Sequence, residues 1–178
     1  MSSAILASLV LGAASTLGDM LWAGLSLRHR TLYGLVYGAV ICLLIGAFVG
    51  WWSRQIVIGL LAGPVIGVLA AASFYALAPW FRYYAMFPSW MFFWICFGML
   101  QKALQRERTW IDAIGRGLLA ATLSGAAFYA ISGIWTNPPR EGPNYLYNFG
   151  AWSVAFFPGF AALFVSSLAT SRPARIVR

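Results

Sequence analysis

The sequence predicts an all-α membrane protein, a compact bundle of six transmembrane helices, and three observations predict it. Hydrophobic residues fill 61% of the 178 positions and charged residues only 9%, against roughly 25% charged in an ordinary soluble domain. Between the clusters of charge lie six apolar windows, each near the 20 residues or so of helix that cross a hydrocarbon core about 30 Å thick. These windows are continuously apolar, whereas lipid-facing strands alternate over about ten residues.

The expected spans are 4–25, 33–51, 56–80, 87–104, 113–135 and 147–168. Together they account for residues 1–178 as a single integral membrane domain. The first begins MSSAILASLVLG, without the basic segment that opens a secretory signal, so it is read as a retained span. The second and third carry Gly34 and Gly38, Gly46 and Gly50, and Gly63 and Gly67. This spacing lets helix backbones approach closely in lipid, either inside the bundle or across a homodimer face. The fourth is the shortest. The fifth follows the charged connector QKALQRERTWIDAIGR, in which Asp112 and Arg116 stand four apart and can pair on a helix. Pro64 in the third span and Pro158 in the sixth each remove an amide donor and can kink a helix to make room for a ligand.

Three helix ends echo one another: AASTLGDMLW at 13–22, AASFYALAPW at 71–80 and AAFYAISGIW at 126–135. The repetition suggests three tandem helical hairpins of like orientation. It also marks Trp22, Trp80 and Trp135 as residues at one headgroup level, where tryptophan is enriched.

Lys and Arg divide eight to four between the two sides of a six-span chain. Because cytoplasmic loops hold the excess, both termini are expected in the cytoplasm, and the membrane is expected to be the bacterial inner membrane. The net charge of +8 is accounted for by arginines facing anionic headgroups. Nucleic-acid binding is not expected, because these residues scatter over both faces instead of forming one basic stripe. Cys42 and Cys96 both fall within spans and read as packing thiols.

No cofactor, metal or catalytic set is expected. The single histidine, His29, rules out bis-histidine haem ligation and the H-E-x-x-H zinc motif. No nucleophile elbow or phosphate loop occurs. Enzymatic activity is therefore without support.

Chemistry concentrates on the outer side. Asp19 is the one acid inside a span, where a bare charge costs about 2.5–3.5 kcal/mol, so it must be paired, hydrogen-bonded or protonated. An outer arginine such as Arg82 or Arg30 is one expected partner. The outer loops LRHR, WFRYYAMFPSW and WTNPPREGPNYLYN supply guanidinium groups and aromatic rings, a mixture suited to a small anionic or aromatic ligand. The candidate ligand-binding residues are Asp19, Arg28, Arg30, Arg82, Tyr83, Arg140 and Tyr145.

In size, helix number, cytoplasmic termini and outward site, the chain resembles in architecture the substrate-capture subunits of energy-coupling-factor vitamin transporters. The expectation is a protein that binds a small solute or a lipid headgroup in the outer half of the bundle as part of transport. The alternative is a non-catalytic accessory or assembly subunit of a larger membrane complex. The partners expected are the lipid bilayer with a small-molecule ligand, a membrane protein or a second copy.

Overall fold

A computed structural model describes residues 1–23, 30–105, 109–132 and 145–164, with only the backbone described for Ala23, Arg30, Tyr83, Ile131 and Ser132. The described residues form six α-helices and no strand: α1 (Ser2–Ala23), α2 (Arg30–Trp52), α3 (Ile56–Phe81), α4 (Met86–Leu104), α5 (Trp110–Ser132) and α6 (Tyr145–Phe164). A 3-10 turn, Arg82–Ala85, joins α3 to α4. The helices fall within a few residues of the expected spans.

Three helices, α1, α2 and α3, are long and apolar enough to cross a membrane. Among the described residues α4, α5 and α6 fall short by the same measure, although these helices run to 19, 23 and 20 residues. The shortfall is one of composition. Proline, serine, glutamine and lysine dilute α4, Asp112 and Arg116 sit in the first two turns of α5, and tyrosines, Asn148 and Pro158 dilute α6.

Each helix packs against its neighbours in chain order, and α6 returns to α1, so the six close into a ring. The α2–α3 seam is the most extensive and α1–α6 comes next, whereas α1 meets α2 only sparingly. The expected unit of an α1–α2 hairpin is therefore not a packing unit. The intimate antiparallel pair is α2 with α3.

Local chemistry explains that pairing. Trp52 ends α2, and Arg54 follows two residues later with φ of 57°. The Gln55 amide donates to the Gly50 carbonyl at 2.7 Å and the Arg54 amide to the Trp51 carbonyl at 3.1 Å, the bonding of a left-handed helix stop. The chain reverses within three residues, and the glycines then allow the two backbones to touch. A Cβ on Gly46 would strike the Gly59 carbonyl, and one on Gly63 would strike the Cys42 carbonyl. The glycines are consumed inside the bundle, which answers the choice the sequence left open between an internal seam and a homodimer face.

The end of the ring holding the N-terminus of α1 is solid. Ala7, Leu11, Ile45, Val49, Trp94 and Phe97 are fully buried there, with Phe160 and Leu163 of α6. Gly117 admits the α4 backbone at Trp94 and Ile95, while Gly159 gives way to the Trp94 ring. Some hydroxyls in these apolar helices are satisfied within their own helix: Ser8 donates to the Ala4 carbonyl at 2.6 Å and Thr16 to the Gly12 carbonyl at 2.8 Å.

Candidate functional site

At the opposite end, where α1, α3 and α5 finish, the ring is hollow. A cavity of about 400 Å³ lies there, and every helix contributes to its wall. This volume is within the usual range of small-molecule sites, about 300–1,000 Å³.

Aromatic side chains standing on glycines hold it open. The Tyr37 ring of α2 occupies the space a side chain on Gly18 would need, and Tyr75 of α3 does the same over Gly34. The Tyr33 hydroxyl donates to the Gly18 carbonyl across the α1–α2 gap. These props explain why α1 and α2 share few close backbone approaches here. Opposite them, Phe128 of α5 stacks on Trp152 of α6 at 4.7 Å, and Trp152 lies nearly parallel to Trp90 of α4 at 6.4 Å.

Asp19 borders the cavity from α1. It lies four residues before the observed end of the helix, about 6 Å at 1.5 Å per residue, and so nearer the end than the longer expected span implied. Its Oδ2 accepts a hydrogen bond from the Trp152 indole N–H at 2.7 Å and a longer one from the Asn148 amide at 3.4 Å. No described residue donates to Oδ1. A bond to a charged group of the length Trp152 makes is worth about 1.5–3 kcal/mol, which offsets part of the cost of placing the acid in an apolar helix.

The expected arginine partner is not among these contacts. Among the described residues the one ion pair is Arg116 with Asp112, 3.0 Å apart on successive turns of α5, as their spacing implied. Arg82 is exposed in the turn after α3, with φ of 50°, and does not line the cavity. The side chains of Arg30 and Tyr83 lie outside the described set, as do all of Arg28, Arg140, His29 and Trp135. Tyr145 is half-buried in the first turn of α6, on the face that carries Asn148 and Trp152 one and two turns later, but it does not line the cavity.

The described wall around Asp19 is made of rings from the helix interiors; Arg82 and Tyr145 are not part of it, and the other expected loop residues lie outside the described set. Pro64 and Pro158 are not in the wall either; the space comes from aromatic props. One sequence signal for the site was available. Tyr33 and Tyr37 stand four apart, as do Asn148, Trp152 and Phe156, so each set presents a polar or aromatic stripe along one helix face. Trp22 also differs from its expected place. It is half-buried against Tyr33, 5.5 Å away, and faces the cavity, whereas Trp80 is 76% exposed, as an interfacial residue is expected to be.

Comparison with known proteins gives no matching family model, no matching curated protein and no matching solved structure. Function must therefore be read from the site itself.

Proposed function

We propose that all six helices cross the bacterial cytoplasmic membrane and that the outer cavity binds a small solute as part of transport. The outward faces support six spans. Phe92 and Met99 of α4, Leu119 and Leu123 of α5, and Val154 of α6 are exposed apolar residues, comparable in character with Leu17, Val36 and Leu61 on the three more apolar helices. A helix that lends one face to a closed ring and turns an apolar face outward is suited to lipid. The eight-to-four division of Lys and Arg puts Arg54 on the cytoplasmic side and Arg82 on the other.

The observation that carries the binding reading is Asp19, an acid in an apolar helix, held at Oδ2 by two donors at the edge of a formed cavity, with no donor to Oδ1 among the described residues. Intramembrane acids of this kind mark functional sites by default. Enclosure by six helices favours a small solute over a lipid headgroup. A hollow outer half above a solid inner half suits capture from outside, with release requiring a rearrangement or a partner.

Native mass spectrometry of the protein released gently from its own membrane tests this reading. A reproducible small-molecule adduct, lost in Asp19→Asn, is the expected result. A stoichiometric protein partner with no adduct would overturn it in favour of an accessory subunit. Orientation is checked separately: Arg54→Cys and Arg82→Cys should react with an impermeant maleimide from opposite faces of sealed vesicles.

A further inference from the structure

We propose that the solute is an organic cation with a flat or aromatic body, held by Asp19 and by the ring faces beside it. This rests on the reading of the cavity as a solute site and adds the charge class to it.

Three features of the wall point the same way. The first is charge. Asp19 is the sole carboxylate among the described residues that line the cavity, and no Lys, Arg or His is among them. The one described arginine expected at the mouth, Arg82, is exposed outside the wall. The described surface of the site is therefore anionic or neutral, although the chain as a whole carries +8. An anionic solute would meet repulsion in a low-dielectric space.

The second is the division of the Asp19 oxygens. Both described donors reach Oδ2 and none of the described residues donates to Oδ1, the oxygen to which a ligand would bring its own donor. An ammonium group there would complete the hydrogen bonding and neutralise the charge at once, which offsets the main cost of burying both ions. A neutral solute could satisfy the oxygen but leaves the charge in place.

The third is the arrangement of rings. Trp22 and Tyr33 stand at 53° with centroids 5.5 Å apart, and Tyr37 stacks on Tyr33 at 6.0 Å. All three line the cavity together with Asp19. A cation within about 6 Å of such faces gains from their negative quadrupole, and indole is the best of the ring types. Beside Asp19, the Trp152 ring stacks on Phe128 and on Trp90, and a flat apolar body can lie against these rings.

Three probes that share a phenyl ring and differ in charge provide the test: phenethylammonium, 2-phenylethanol and phenylacetate, titrated into the full chain in lipid nanodiscs and read by intrinsic tryptophan fluorescence. Phenethylammonium should bind at least tenfold tighter than the alcohol, and phenylacetate should give no saturable change. Asp19→Asn should weaken the cation tenfold or more and so erase its advantage over the alcohol, with an unchanged circular dichroism spectrum showing that the variant is folded. Asp19→Glu should retain the preference for the cation. Equal or tighter binding of the alcohol or the carboxylate would overturn the cation assignment and leave the solute-binding reading standing. Binding by none of the three would also overturn the assignment, and the presence or absence of a native adduct would then decide the binding reading on its own.

Discussion

The two halves of this bundle are built from the same helices and reach opposite ends. In the inner half the helices close on a solid core, with Gly46 against Gly59, Gly63 against Cys42 and Gly117 against Trp94 and Ile95, while Gly159 seats the Trp94 ring. In the outer half Gly38 and Gly67 still meet backbone, but Gly18 meets Tyr37 and Gly34 meets Tyr75, and the ring stays open around about 400 Å³. A small residue opposite a small residue yields close van der Waals packing, the main source of helix association in lipid; opposite a tyrosine it yields a socket.

The largest effect is expected where the inner seam is closest. Gly46→Val would drive a branched side chain into the α3 backbone at Gly59 and Gly63, where no flexible side chain can yield. It should cost about 3 kcal/mol or more, seen as loss of the monodisperse folded species by size exclusion after mild heating. Survival of Gly46→Val at wild-type stability would break the comparison outright.

The next effect belongs to the outer half. Trp152→Phe keeps the ring against Phe128 but removes the 2.7 Å donor to Asp19. Loss of a hydrogen bond to a charged group costs about 1.5–3 kcal/mol, so cation binding should weaken roughly tenfold or more while the helical content by circular dichroism stays constant. An unchanged affinity would show that the Asp19 carboxylate is positioned by something else.

Much of the fold was legible in the sequence because apolar runs and charge clusters set helix number and ends directly. The reversal between α2 and α3 left the signature SRQ between tryptophan and isoleucine, and the glycine spacing announced the seam that follows it. Asp19 was legible too, since a lone acid in an apolar helix demands a partner. The identity of that partner was not. Trp152 and Asn148 lie more than a hundred residues away, and only closure of α6 onto α1 brings them near. Arginine and tyrosine in the outer loops were more conspicuous than rings inside apolar helices, where Trp90, Phe93 and Phe128 look like ordinary lipid-compatible residues until packing turns them inward. Trp22 and Trp80 hold matching places in the repeated decamers, yet one faces the cavity and the other the surroundings, a difference that the local pattern does not encode.

Smaller effects sharpen the contrast between sockets and open faces. Gly150 has no atom within 4 Å of an added Cβ, as is also true of Gly115. Gly150→Ala should stabilise α6 by about 0.5–1 kcal/mol through helix propensity alone, a rise in thermal midpoint that Gly159→Ala, crowded by Trp94, should reverse in sign. Least of all, Asp112→Asn removes a partly exposed ion pair within α5 and should cost about 0.3–0.5 kcal/mol, with the difference fading at high salt. A larger or salt-independent loss would mean that this end of α5 is more than a solvated helix start.

The central claim is that the outer cavity is a ligand site organised by Asp19. A crystallographic map of the full chain grown with phenethylammonium tests it most directly. The account expects density for the probe in the cavity, its ammonium within hydrogen-bonding distance of Asp19 Oδ1 and its ring against the Trp90 and Trp152 faces. A cavity closed by inward rotation of Trp22 and Tyr37, or filled by a lipid chain continuous with the bilayer and out of reach of Asp19, would contradict it.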